Sequence, residues 1–130
     1  MFTYEKRIPF YDVDPMQVVW HGNYVKYLEE ARCAFLSTKK MTYADMDDLG
    51  YAFPIVELKL KYIKPCVFDE DIMVLVNLVS YENMVVFKYE IRNKENGELK
   101  CKAETRQMCV CMKTKESLFE VPKEVVQKLV

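Results

Sequence analysis

Between residues 11 and 24 the chain reads Tyr11-Asp12-Val13-Asp14-Pro15-Met16-Gln17-Val18-Val19-Trp20-His21-Gly22-Asn23-Tyr24, with two acids, the only histidine and the only tryptophan. Gly22 and Asn23 offer a cap for the periodic segment that follows. A carboxylate delivered to the start of a mostly buried helix meets two opposed effects. Burial raises its pKa, while the helix dipole and free backbone N–H groups favour the charged form. Such a carboxylate can act as base or nucleophile beside an electrophilic carbonyl. The N–H groups of the first helical turn can then hold the carbonyl oxygen as it gains charge. The same residues also make a plain turn, in which Asp14 bonds backbone amides and His21 only faces solvent.

Other chemistries fit poorly. The serines, Ser37, Ser80 and Ser117, lie outside any nucleophile-elbow motif. Cys33, Cys66, Cys101, Cys109 and Cys111 sit in apolar stretches or beside a turn, where packing is the default. Cys109-x-Cys111 with one histidine is not zinc spacing, so no metal site is expected. Asp45, Asp47 and Asp48 lack the glycine and distal glutamate of a calcium loop. Three glycines cannot build a phosphate-cradling loop.

The elements that must position the 11–24 segment follow from periodicity. Residues 2–11 read as a strand in which Phe2, Tyr4, Ile8 and Phe10 share a parity broken by Lys6, with Pro9 marking an edge or a bulge. Tyr24, Tyr27, Leu28, Ala31, Phe35 and Leu36 follow helical spacing to about Thr38, and Val25, Cys33 and Ala34 widen the apolar arc enough to predict a helix wrapped on several sides. Thr42 caps a short turn over 43–49 closed by Gly50. Val56, Leu58, Leu60 and Tyr62 alternate with charged residues up to Lys64-Pro65. Residues 72–79 are apolar on both parities, which predicts cover on both faces. A strand from Val85 ends at an Asn96-Gly97 hairpin turn. The next runs from Leu99 to Met112, with a bulge or a second covering layer near Met108. A short helix opens at Pro122. The fold class is α+β, in one domain over 1–130.

Hydrophobic residues at 51% and charged residues at 30% are ordinary for a globular protein. A net charge of -1 without a basic run argues against nucleic acid as partner. The N-terminus has no apolar h-region, and no apolar run approaches the roughly 20 residues that span a bilayer, so stable membrane insertion is not expected. Five cysteines, an odd number, argue against a disulfide framework and for a cytoplasmic location.

The run from Asp12 to Arg32, ending Asn23-Tyr24-Val25-Lys26-Tyr27-Leu28-Glu29-Glu30-Ala31-Arg32, resembles the signature of the hotdog-fold acyl-CoA thioesterases, closest to the 4-hydroxybenzoyl-CoA thioesterase family in its YbgC-like form. That pattern is Asp-Thr-Asp-x-x-Gly-Val-Val-Tyr-His-x-Asn-Tyr, an aromatic pair, then Glu-x-Ala-Arg. The likeness continues in Leu60-Lys61-Tyr62-Ile63-Lys64-Pro65-Cys66 with Asp69, and in Val121-Pro122-Lys123-Glu124-Val125, so it spans nearly the whole chain. It implies the hotdog fold, a long central helix wrapped by a curved antiparallel sheet. It implies a homodimer or homotetramer with active sites at the subunit interface. The substrate it implies is an acyl-CoA or acyl-carrier-protein thioester, cleaved with no cofactor, CoA being part of the substrate.

By the same resemblance Asp14 falls on the catalytic carboxylate, as nucleophile or as base for water. His21 falls beside the substrate carbonyl, and the amides near His21 and Gly22, at the Gly22-Asn23 cap, are the oxyanion donors. Gln17 stands where the pattern has glycine. If that position needs a positive φ, a non-glycine residue there costs roughly 1–2 kcal/mol. The alternative function is a binding module on the same fold that holds an acyl thioester with little or no turnover. Lys59, Lys61, Lys64, Lys100, Lys102 and Arg106 are candidates for CoA phosphates, or simply solvated strand faces.

Overall fold

A computed structural model describes residues 1–130. A five-stranded antiparallel sheet has the order β1-β4-β5-β6-β3, from β1 (Phe2–Arg7), β3 (Ile55–Tyr62), β4 (Asp71–Ser80), β5 (Val85–Asn93) and β6 (Leu99–Gln107). Helix α1 (Asn23–Thr38) lies on one face of it. A smaller sheet orders β2 (Tyr51–Ala52), β7 (Cys109–Cys111) and β8 (Ser117–Leu118). Helices α2 (Tyr43–Leu49) and α3 (Lys123–Leu129) complete the chain. The long helix against an antiparallel sheet is the arrangement the sequence predicts.

The core lies between α1 and the sheet. Tyr24, Tyr27, Leu28, Ala31 and Leu36 of the helix meet Ile72, Val74 and Val76 of β4 and Phe87, Tyr89 and Ile91 of β5. Phe35 joins the two layers, edge-on to Phe2 at 5.8 Å and to Phe87 at 5.6 Å. The odd polar residue of β1, Lys6, pairs with Glu30 of α1 at 2.9 Å and lies 5.3 Å above the Tyr27 ring. Its break in the parity is therefore a charge paired across the layer.

Several expectations change. The first strand stops at Arg7, because Pro9 cannot donate to a ladder and a 3-10 turn takes Phe10–Asp12. Phe10 is left 71% exposed instead of joining the core. Val25 and Ala34 are half-buried and Cys33 is exposed, so within one chain α1 is covered mainly on one side. The same holds for β4, where Ile72, Val74 and Val76 are buried while Met73 and Leu75 are only half-buried. The run from Leu99 breaks at Met108, whose N–H donates to the Pro54 carbonyl, and Cys109–Cys111 joins the second sheet. Its apolar residues on both parities thus serve a different layer. Strands β2 and β8 carry no signal of their own at two residues each.

Strand β3 is the informative edge. It ends the sheet, and most of its apolar set stays outside the chain's own core, with Leu60 packed against that core. Val56, Leu58 and Tyr62 are exposed, with only Leu60 half-buried.

Candidate active site

The segment from Asp12 to Trp20 folds as a narrow hairpin. Asp14 N–H donates to Val18 O at 2.9 Å, Gln17 N–H donates to Asp14 O at 2.8 Å, and Val13 bridges Val19. Pro15 suits the second position of that turn, and Gln17, at φ 64, fills the left-handed position that closes a type I turn with a bulge. The glycine of the family pattern therefore has a conformational reason. Gln17 meets the same demand, and its carbonyl accepts the Phe68 N–H at 3.1 Å.

The two acids part company here. Asp12 is 3% exposed; one oxygen accepts from Lys26 Nζ and the other from Tyr27 Oη, both at 2.7 Å. Burial works against its charge, but the Lys26 and Tyr27 bonds prevail and hold its carboxyl below the usual range. The Asp12 carbonyl also accepts from Trp20 N and Asn23 Nδ2. Asp12 is the latch that fastens the hairpin to α1. Asp14 is half-exposed; its Oδ1 accepts from Met16 N at 2.8 Å and Val18 N at 3.4 Å. Its Oδ2 bonds to nothing in the chain. Such a carboxylate is fixed in place with one oxygen free to react.

At the far end of the returning arm, the His21 ring lies 4.8 Å from that of Trp20. Gly22 is the helix cap and uses no side chain; a Cβ there would fall 2.0 Å from the Trp20 ring. Asn23 is the first helical residue and not the cap, and its side-chain amide donates to the Asp12 carbonyl. Asn23 N–H donates to Trp20 O, and the His21 carbonyl accepts from Tyr62 Oη at 2.9 Å. The N–H groups of His21 and Gly22 have no acceptor in the chain. Asp14 and His21 thus bracket one hairpin arm, with no hydrogen bond between them.

A supporting layer was not legible beforehand. Residues 66–68 pair with the hairpin through Val19 N to Cys66 O at 2.9 Å and the Val18–Val67 bridge. Tyr24 Oη accepts the Cys66 N–H, and burial pushes the Cys66 thiol up to about 12. Behind them, Glu70 accepts from Val67 N, from Asn93 Nδ2 at 2.6 Å and from Lys100 Nζ at 3.1 Å. Lys100 is buried on that carboxylate and cannot meet a CoA phosphate. Lys59 and Lys64 are paired with Glu57 and Glu98 at the surface, and Arg106 with the part-buried Glu104. No three His, Cys, Asp or Glu side chains are grouped to hold a metal ion, and no helix is long and apolar enough to cross a membrane.

Comparison with known proteins identifies the family and the fold. A family profile described as the thioesterase-like superfamily matches residues 8–129. The crystal structure of a hypothetical protein from Aquifex aeolicus is 31% identical, covers 100% of both chains and superimposes with a TM-score of 0.86. A DHNA-CoA thioesterase from Staphylococcus aureus is 31% identical, with a TM-score of 0.81 over 91% of this chain and 79% of that one. An acyl-CoA thioesterase YbgC from Haemophilus influenzae is 28% identical over 95% of this chain and 90% of its own.

Proposed function

The chain belongs to the thioesterase-like superfamily and has its hotdog fold, and on that footing we propose that it hydrolyses an acyl-CoA or acyl-carrier-protein thioester to the free acid and the thiol. The observation that carries the mechanism is the Asp14 carboxylate, with Oδ1 tied to two turn amides and Oδ2 unbonded. As general base, Oδ2 takes a proton from water while the water oxygen bonds to the thioester carbon. As nucleophile, Oδ2 bonds that carbon itself, and water then cleaves the acyl-aspartyl anhydride. Either way the carbonyl oxygen becomes an oxyanion, and the N–H groups of His21 and Gly22 are its donors. Each such donor is worth roughly 3–4 kcal/mol where measured. Collapse of the adduct breaks the C–S bond, and the thiolate takes up a proton. The His21 ring flanks the carbonyl side. No cofactor enters beyond the CoA of the substrate.

Gln17 in place of the pattern's glycine is the feature that favours a binding module without turnover. The turn closes around it with its hydrogen bonds made, which favours turnover. The open edge of β3 and the exposed Tyr11, Met16 and Trp20 around the hairpin favour a second copy there, in a homodimer or a homotetramer. Five free thiols suit a reducing cytoplasm. The decisive assay is free-thiol release from a panel of acyl-CoAs, comparing the wild type with Asp14→Asn. Undiminished hydrolysis by the variant rules out Asp14, and no turnover of any thioester rules out the enzyme.

A further inference from the structure

Three ties hold Tyr62 at the end of β3. Its backbone pairs with Cys101 of β6, its ring meets the buried Tyr24 ring edge-on at 5.0 Å, and its Oη donates to the His21 carbonyl at 2.9 Å. Tyr24 is itself fixed, since its Oη accepts the Cys66 N–H at 2.9 Å. The Tyr62 hydroxyl is therefore aimed by its neighbours, although the residue is 47% exposed and water could accept the same proton.

What that hydroxyl holds is one peptide group. The His21 carbonyl and the Gly22 N–H belong to the same planar trans unit and point in opposite directions. A donor bound to the carbonyl therefore fixes where the N–H is aimed. The helix contributes little to this, because the Tyr24 N–H reaches the same carbonyl only at 3.4 Å. The preceding unit differs: the Trp20 carbonyl accepts the Asn23 N–H at 2.9 Å, so the backbone itself aims the His21 N–H. A bond to the carbonyl also polarises the amide, and linked bonds of this kind strengthen one another by roughly 10–30%.

Resting on the thioesterase reading, in which the Gly22 N–H is an oxyanion donor, we propose that Tyr62 is a positioning residue for catalysis: through the His21 carbonyl it aims and polarises the Gly22 N–H that receives the thioester oxygen. This part requires no contact with the substrate and moves no proton in the reaction. Its effect grows as charge develops on that oxygen, so it belongs to kcat and not to KM.

Removing an oxyanion donor outright costs about 10²–10³ in kcat. Tyr62→Phe keeps the ring against Tyr24 and leaves the Gly22 N–H in place but untethered, so kcat for thiol release should fall about tenfold with KM within about twofold. A tie that merely joins β3 to the hairpin would give no such split. A kcat within about twofold of the wild type, or a loss confined to KM, overturns the proposal.

A second readout needs no turnover. His21 is the only histidine and Gly22 follows it, so carbonyl-13C histidine with 15N glycine gives one coupled amide signal. The His21 carbonyl resonance should move upfield in Tyr62→Phe. A ketone analogue of octanoyl-CoA, with CH2 in place of sulfur, should shift the Gly22 amide proton downfield in the wild type and less in the variant. A wild-type Gly22 signal that stays put when the ketone binds overturns the proposal without any variant, and so do equal shifts in the two proteins. Turnover that Tyr62→Phe leaves intact sinks the role of Tyr62 alone. A wild type that neither hydrolyses a thioester nor binds the ketone sinks the hydrolase reading, and this inference with it.

Discussion

Asp12 and Asp14 stand two residues apart with opposite environments: both oxygens of Asp12 are bonded at 2.7 Å in the interior, while Asp14 keeps Oδ2 free at the surface of the turn. One sequence pattern, acid-x-acid, thus supplies a buried fastener and a carboxylate with one open oxygen. Substitution separates them. Asp14→Asn keeps an oxygen that can accept from the Met16 amide, so its melting temperature should stay near the wild-type value. Its kcat should fall by about 10²–10⁴, the usual contribution of a proton-transfer group. A loss of stability in step with activity, read by thermal melts beside thiol release, would reduce Asp14 to a turn residue.

Asp12→Asn should do the reverse, costing roughly 1–3 kcal/mol of stability, since it disturbs a buried, fully bonded group. The pH dependence has a definite sign. The folded pKa of Asp12 lies below its unfolded value, so its contribution is present above about pH 3.9 and is lost as pH falls through the folded value. Urea melts from pH 7 to pH 3 should therefore show wild type and Asp12→Asn converging at the acid end. A gap that stays constant with pH would contradict the ionised latch.

Gln17 carries the cost of a left-handed residue, at φ 64, in a turn that is otherwise well bonded. Gln17→Gly should stabilise the protein by about 1 kcal/mol and leave kcat/KM within a factor of two. Gln17→Val, β-branched, should lose at least as much in the other direction. A glycine variant no more stable than the wild type would show that the left-handed position costs Gln17 nothing.

Sequence periodicity located α1, α2 and the main strands because their signals are local: 3.6-residue spacing in α1, a Thr42 cap with Gly50 at φ 87, and alternation in β3. It missed what depends on partners distant in the chain. Nothing near Lys100 announces that Glu70, itself held by Asn93, and the Pro65 carbonyl will meet its ammonium. Alternation in β3 locates an apolar face without saying that the chain itself leaves it open. The hairpin is marked in the sequence by its unusual residues, yet which acid is buried is decided by Lys26 and Tyr27, a helical turn away from the cap.

That buried cluster should be costly to break from one side. Lys100→Met leaves Glu70 with its ammonium gone, and a loss of about 3–5 kcal/mol is expected from chemical denaturation. Adding Glu70→Leu should recover part of the loss, because the uncompensated charge is then removed too. Full additivity of the two losses would mean that the pair is not coupled.

The open edge of β3 offers the most direct test of assembly. Val56 and Leu58 present apolar side chains on a strand whose outer ladder has no partner in the chain, and edges of that kind attract a further strand. Val56→Lys places a charge on that face without touching the core or the Asp14 turn. Light scattering should show the wild type as a multimer and the variant shifted toward the monomer mass. Thiol release should fall about tenfold or more if the site is completed by the second copy. Lys59→Ala, on the same strand with its charge paired to Glu57, is the matched control and should change neither mass nor rate. A wild type that is already monomeric and active would place the complete site within one chain, and would leave the exposed face of β3 without a role in catalysis.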